Sequence, residues 1–421
     1  MKRSNYNIEI KLKEKLLLYN VLTRGFALLE EKEYIEFYKN EKLWEKDEKK
    51  LKEFMDNGFI TKEDDKSNFL KNYENLSNAD IKILSITFVP TQLCNFNCFY
   101  CFEREKIRRM DDNTFKNSIL FTQKMIERKE IENVEVCFFG GEPLLEIERI
   151  IEYGKNIKNI CEKRNIKFSS SIITNGYYLT SENAKILISE CNLSFAQVTF
   201  DGDRTFHNKR RNNSYDIILE NLESIFEKKL NLRISVRIQV DRENLGSLKN
   251  LLIDLKRFDI YENFNFYFSP IHGEFEENLE SKKIYFQEKE FGKIYVNYIL
   301  PLIFELKFKN FELYPRPHTG GCSVVKENSY IIDADGSLKE CWELIGTEDS
   351  FGNIYMDEEK FSRKLNNISL DSTCKNCIYL PICNGGCPLR RYKGEIKCSF
   401  WRYFLKEYLK KIYFLKENEG I

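Results

Sequence analysis

The run ILSITFVPTQLCNFNCFYC, residues 83–101, sets a strand candidate directly ahead of three closely spaced cysteines. Working outward from it, further strand candidates are Val134–Phe139, Ser169–Thr174, Ala196–Phe200, Arg233–Val240 and Phe264–Phe268, with helical stretches such as Ser181–Glu190 and Asp216–Lys229 between them. Strands that alternate with helices indicate βαβ units and a parallel sheet. Six such units predict an α/β fold built on a partial (β/α)6 barrel of TIM type. Functional groups are then expected at the C-terminal ends of the strands.

The chain has 421 residues, too many for one ordinary domain. Apolar content of 42% and charged content of 31% are ordinary for a globular protein. Lys plus Arg equals Asp plus Glu at 66 each, so no polyanionic partner is implied and nucleic acid is not expected. The basic start has only a three-leucine run, too short for a signal-peptide core. No stretch of about 18 apolar residues marks a membrane span. A cytoplasmic location is the expectation.

Residues 1–80 are rich in Lys and Glu and contain no cysteine. Leu16–Leu22 and Phe26–Leu29 read as short strands around a turn at Arg24-Gly25. Tyr34, Ile35, Phe37 and Tyr38 predict one short helix. Leu51, Phe54 and Met55 predict a second, ended by Asn57-Gly58. Phe59–Thr61 is a candidate wing strand, and the polar run Asp64–Asp80 a helix and linker. The sum is a small winged-helix-like module. Residues 81–300 form the barrel, and residues 301–421 form a loop-rich cysteine domain closed by an apolar helical stretch, Cys398–Leu415.

Thirteen cysteines without a secretion signal argue against a disulfide framework. Zinc prefers paired knuckles with four ligands per site. Cys94, Cys98 and Cys101 lack an obvious fourth, since the histidines are His207, His272 and His318. Three thiolates at this spacing suit a cubane [4Fe–4S] cluster with one iron left open to a small molecule. Gly140-Gly141-Glu142-Pro143 follows the second strand. Its glycines allow close approach to the backbone, and Glu142 offers an acceptor for an ammonium group. Cys137, Cys161 and Cys191 fit no ligand spacing and read as small buried hydrophobes.

The Cys94-x3-Cys98-x2-Cys101 spacing, with Tyr100 before the last cysteine, resembles the signature of the radical S-adenosylmethionine (SAM) enzymes. In that family the open iron chelates the amino and carboxylate groups of SAM, and one electron cleaves the sulfonium to a 5′-deoxyadenosyl radical. The resemblance implies that Gly140, Gly141, Glu142 and Pro143 serve the methionyl amino group, that Thr199 and Arg211 bind the SAM carboxylate, and that Tyr100 faces the adenine. Asn175 is a weaker candidate. An arginine fork suits a carboxylate.

The late cysteines run Cys322-x18-Cys341, then Cys374-x2-Cys377-x5-Cys383-x3-Cys387-x10-Cys398, with Gly336 five residues before Cys341. This order resembles the SPASM domain, which binds two auxiliary [4Fe–4S] clusters, so the chain is expected to carry three clusters. By family pattern Cys374, Cys377, Cys383 and Cys398 close the outer auxiliary cluster. Cys322, Cys341 and Cys387 hold the inner one, a ligand short of four. Either His318 or another group fills that place, or an iron stays open for a substrate thiolate.

The resemblance covers residues 82 to 405 and implies hydrogen-atom abstraction from a peptide or protein side chain. One branch is the maturation of ribosomally made peptides, in which the N-terminal module binds the precursor's leader and the reaction is a thioether or carbon–carbon crosslink, as in sactipeptide and ranthipeptide synthases. The other is anaerobic sulfatase maturation, oxidising Cys or Ser to formylglycine. Those enzymes usually lack an 80-residue preface and carry an acidic residue directly after the cysteine that is Cys341 here, where this chain has Trp342 and then Glu343. A non-catalytic metal-binding adaptor is the reading from a different class. It is disfavoured because both the first trio and GGEP are intact. By analogy the electron donor is a flavodoxin or ferredoxin.

Overall fold

A computed structural model describes residues 1–74, 82–101, 103, 108–271, 284–318, 322–365, 368–395 and 397–419. His272 and the end of the Asp64–Asp80 stretch lie outside these. At the N-terminus, β1 (Lys2–Arg3) is followed by an antiparallel sheet of β2 (Asn7–Leu12), β3 (Lys15–Asn20) and β4 (Phe26–Leu29), with β3 central. Two helices, Lys32–Lys39 and Glu48–Asp56, come next. Asp47 starts the second by accepting from the Lys50 amide at 3.0 Å, and Gly58, at φ +77°, lies in the turn beyond it. Then β5 (Ile60–Thr61) pairs with β1, and the helix Asp65–Glu74 follows.

The run of apolar residues in β3 follows from its position. Successive strand residues point to opposite faces. Leu16 and Leu18 pack against Phe37, Tyr38, Trp44 and Phe54 of the module. Leu17 and Tyr19 point the other way, into the main core with Tyr408, Leu409 and Ile412. The Tyr19 ring stacks on Tyr314 at 5.8 Å, its hydroxyl donates to the Pro315 carbonyl at 3.3 Å, and Arg24 pairs with Glu312 at 2.8 Å. The module is thus built into the body of the protein.

The barrel strands are β6 (Ile83–Phe88), β7 (Asn133–Phe138), β8 (Lys167–Thr174), β9 (Leu193–Phe200), β10 (Arg233–Val240) and β11 (Phe264–Pro270). They lie side by side in chain order, all parallel. Helices such as Asp112–Arg128, Ile147–Lys163, Ser181–Cys191 and Tyr215–Glu227 connect them. Leu84, Ile86, Val134, Val136, Ile172, Val198, Ile234 and Ile238 are fully buried in the main core. The alternate positions carry Thr87, Ser171, Gln197, Thr199, Arg237, Gln239 and Ser269, so the other face of the same sheet is polar.

The sheet does not end at β6. Strand β12 (Ser329–Ile332) pairs parallel to it, followed by antiparallel β13 (Ser337–Lys339) and β14 (Gly352–Asn353). The loop-rich region expected over residues 301–421 thus contributes three short strands to the main sheet; β12 is too short to show periodicity, yet all four of its residues are buried. The closing helix, Trp401–Glu419, buries Leu405, Tyr408, Leu409 and Ile412, the i, i+3, i+4, i+7 stripe of an amphipathic helix. No helix among the described residues is long and apolar enough to cross a membrane.

Leu17 has no exposed surface and joins the module to the closing helix. Leu17→Ala is expected to cost about 2–5 kcal/mol of stability, read by denaturant unfolding, with earlier proteolysis around residues 15–30.

Candidate active site

The loop after β6 bends back over the C-terminal ends of the parallel strands. The Gly141 amide donates to the Thr91 carbonyl at 3.1 Å, and the Glu142 amide to the Leu93 carbonyl at 2.9 Å. Gly140 has φ +124°, and a Cβ there would stand 2.3 Å from the Thr91 oxygen. A Cβ on Gly141 would stand 2.3 Å from the Leu93 oxygen. In this structure the lack of a side chain at these glycines admits the backbone of the chain's own cysteine loop.

Glu142 was expected to offer its carboxylate to an ammonium group. The structure buries that carboxylate completely. Its oxygens accept from the Leu144 amide at 3.0 Å, the Thr174 hydroxyl at 2.7 Å and the Asn175 amide at 2.8 Å. Burial pushes its pKa up to about 7, against the pull of those donors. Glu142 caps the short turn that begins at the buried Pro143 and ties the end of β7 to the end of β8. The Asn175 side chain then donates to Asn95 Oδ1 at 2.7 Å and lies 3.9 Å from the Cys94 sulfur. Asn175, the weaker candidate from sequence, is in direct contact with the cysteine loop.

Cys94, Cys98 and Cys101 are all half-buried. The Phe96 amide points at the Cys94 sulfur at 3.4 Å, and the Cys101 amide donates to the Cys98 carbonyl at 3.1 Å. The donor set is three thiols with no fourth protein ligand assigned, which fits a cluster with one open iron.

Beyond β9, Asp201 is fully buried. Arg211 Nε donates to Asp201 Oδ1 at 3.0 Å, and a terminal nitrogen of the same side chain donates to the Tyr100 oxygen at 2.6 Å. That oxygen is also 2.6 Å from both carboxylate oxygens of Asp201. The carboxylate that Arg211 meets here is thus an internal one, and Tyr100 presents its hydroxyl to the same pair. Burial pushes the Tyr100 phenol well above its ordinary range. His207 Nδ1 faces the Asp201 amide at 3.4 Å, and Nε2 faces Ser214 Oγ at 3.0 Å. Burial, with the Arg211 charge nearby, holds His207 well below its usual pKa, so it is neutral. Thr199 lies one turn of the strand earlier, buried and paired in register with Arg237.

The late cysteines are spread over the C-terminal region. Cys374, Cys377, Cys383 and Cys398 line one cavity, and an Arg402 nitrogen lies 3.0 Å from the Cys398 sulfur. Cys341 feels the charges of Glu343, Cys322 and Cys387, after burial, which pushes it up to about 12. Between Cys383 and Cys387, Asn384, Gly385 and Gly386 all take left-handed backbone. The thiols surround space: among the described residues, no three His, Cys, Asp or Glu groups gather on a point where one ion would sit. Cys161 and Cys191 are fully buried, and burial pushes both thiols up to about 12.

Sequence reasoning missed Asp201 as a partner for Arg211, and missed two further features. Trp342 stacks on Phe139, with ring centres 4.8 Å apart, and donates its indole N–H to Thr87 at 3.0 Å. The residue after Cys341 therefore touches the residue before Gly140. On the polar face, Tyr267 donates to Gln197 at 2.8 Å and Arg237 to Ser269 at 3.0 Å. The signal for that face was present: polar residues at every second position of strands in a parallel sheet.

Residues 88–252 match the radical SAM superfamily. A cysteine-type anaerobic sulfatase-maturating enzyme of Clostridium novyi is 24% identical over 80% of this chain and 98% of its own length. TigE, a radical SAM cyclopropyl synthase of Paramaledivibacter caminithermalis, is 30% identical over 41% of this chain and 39% of its own. The structure of anSMEcpe with bound AdoMet and the Cp18Cys peptide superposes with a TM-score of 0.60 at 18% identity, over 79% of this chain and 99% of that one. Streptococcus suis SuiB bound to S-adenosylmethionine superposes at 0.50 and 16% identity, over 92% of this chain and 95% of that one.

Gly141→Ala places a methyl group against two carbonyls of the cysteine loop. A displacement near 1 Å at a reacting centre costs about 100-fold in rate. The variant is expected to cleave SAM about 100-fold more slowly, measured as 5′-deoxyadenosine release, and to melt at a lower temperature.

Proposed function

Because the chain carries a radical SAM domain and is an enzyme, we propose that it matures a ribosomally made precursor peptide by forming a crosslink, with a thioether as the product. A [4Fe–4S] cluster and SAM are the cofactors of the family; a count of three clusters is part of this proposal. With its electron delivered, the first cluster supplies a 5′-deoxyadenosyl radical from SAM, which removes a hydrogen atom from the peptide. Cys94, Cys98 and Cys101 would hold that cluster, and the Glu142, Asn175 and Asp201–Arg211–Tyr100 contacts would keep its loop and the strand ends in place. The polar face bearing Gln197, Arg237, Gln239 and Tyr267 would receive the peptide segment that reacts. A thiol of the peptide would then bond to the activated carbon, losing its proton and passing one electron to an auxiliary cluster of the proposed set, so that the product is lighter by two hydrogens.

The observation that carries this reading is the N-terminal module. Its sheet has β2 and β4 as outer strands, each with one unpaired edge in the sheet order. An extended leader can add to such an edge through main-chain hydrogen bonds. The module is anchored beside the late-cysteine region, where Tyr73 donates to the Asn384 carbonyl at 3.1 Å. The likeness to SuiB covers 92% of the chain, while that to anSMEcpe covers 79%. Trp342 also supports it: this side chain is engaged with Phe139 and Thr87 where the sulfatase branch has an acidic residue. A flavodoxin or ferredoxin would supply the electron. Sulfatase maturation is the second reading, favoured by the alignment that spans 98% of the Clostridium novyi enzyme.

Mass spectrometry of a small cysteine-rich peptide encoded beside the gene, co-expressed anaerobically, tests this. A loss of two mass units per crosslink with blocked thiols is expected. An unmodified peptide, with 5′-deoxyadenosine still released, would shift the assignment to a sulfatase or another protein substrate. Cys98→Ala is expected to abolish SAM cleavage. Cys387→Ala is expected to retain cleavage and lose the crosslink; equal loss of both would make the inner auxiliary site structural.

A further inference from the structure

We propose that the Glu343 carboxylate is the missing fourth ligand of the inner auxiliary cluster, beside Cys322, Cys341 and Cys387. The assignment rests on the three-cluster reading above. Two cubane clusters have eight irons to ligate, and the late cysteines supply seven thiolates. One place must go to another group or stay open.

Glu343 stands where such a ligand is needed. It lies in the single turn Trp342–Leu344, two residues after Cys341. Its amide donates to the Cys341 sulfur, and its charge acts on both Cys341 and Cys387. Cys322 acts on the same two thiols. Cys341, Leu344 and Cys387 pack against the same small apolar cluster, which also holds Val324, two residues after Cys322. The Oε2 atom of Glu343 is buried and accepts no hydrogen bond. A buried carboxylate oxygen without a partner is costly, and a metal ion bonded to it removes the cost. The cation that acts on Glu343 is Lys393, an exposed side chain. Iron accepts carboxylate oxygens as well as thiolates.

The other candidate from sequence, His318, is poorly placed. It is exposed, and its described hydrogen bond runs from its backbone amide to the Pro381 carbonyl at 2.7 Å.

A carboxylate is a harder donor than a thiolate, so iron in such a cluster holds it less firmly. A substrate thiolate could then take its place on the iron, and Glu343 would hold that place until the peptide arrives.

The test uses the full chain, reconstituted anaerobically with iron and sulfide and saturated with SAM to fill the open iron of the first cluster. Iron analysis comes first. Roughly twelve irons per chain are expected, and four or eight would overturn the three-cluster reading and this proposal with it. Isotope-labelled cyanide is then added to the reduced protein, and its hyperfine coupling to the cluster signals is read by electron-nuclear double resonance. The wild type is expected to show no coupling, Glu343→Gln to show it on one auxiliary cluster, and Glu343→Cys to show none, because a thiolate refills the place. Equal coupling in the wild type and Glu343→Gln, or none in either at full iron content, would overturn the role of Glu343.

Discussion

The close contact between the Gly140-Gly141 backbone and the carbonyls of Thr91 and Leu93 sets the position of the first three cysteines. Two amide donors clamp the loop at 2.9 and 3.1 Å, and no side chain holds the strands apart. The ends of β7 and β8 depend on the same contact. Glu142 follows immediately, and its buried carboxylate joins Leu144, Thr174 and Asn175. Asn175 returns to Asn95 and so closes a ring of hydrogen bonds around the loop. A side chain inserted at the glycines would disturb every member of that ring.

The second constraint is electrostatic. Asp201, Arg211 and Tyr100 form a buried set in which each polar group has a partner. Buried charges are tolerated when paired and hydrogen-bonded and are costly when one partner is removed. Neutral His207 supports the set from below through the Asp201 amide, while Ser214 donates to the Arg211 carbonyl at 2.6 Å. A ligand that binds against Arg211 must therefore do so in the presence of an internal carboxylate, which favours a group that also brings a positive charge.

The barrel was legible because each strand is long and flanked by helical periods. Arg233–Val240 agrees with the observed strand to the residue, and the other five differ by one to three residues at their ends. Strand β2 was not: Asn7–Leu12 alternates polar and apolar residues within a basic run and resembles ordinary polar sequence. Strand β12 escaped because its buried residues number only four and its partner β6 lies over 200 residues away in the chain. The partner of Arg211 escaped for a different reason. Asp-Gly at 201–202 has the form of a common turn, and nothing local shows that its carboxylate faces inward. Glu343 was visible only as the second residue after a cysteine, since an unpaired buried oxygen has no signature in sequence.

The pairing of β12 with β6 also bears on how electrons move. The late-cysteine region is hydrogen-bonded to the barrel's own first strand, and Trp342 is wedged between that strand and Phe139. A domain held by a shared sheet cannot swing as a unit without breaking a ladder of backbone bonds. The separation between the first cysteine site and the inner auxiliary site is therefore a constant of the fold. Tunnelling rates fall steeply with distance, so under the three-cluster proposal electron exchange between these two sites would be fixed in advance, and any gating would come from what binds against the polar sheet face and not from motion of the two regions.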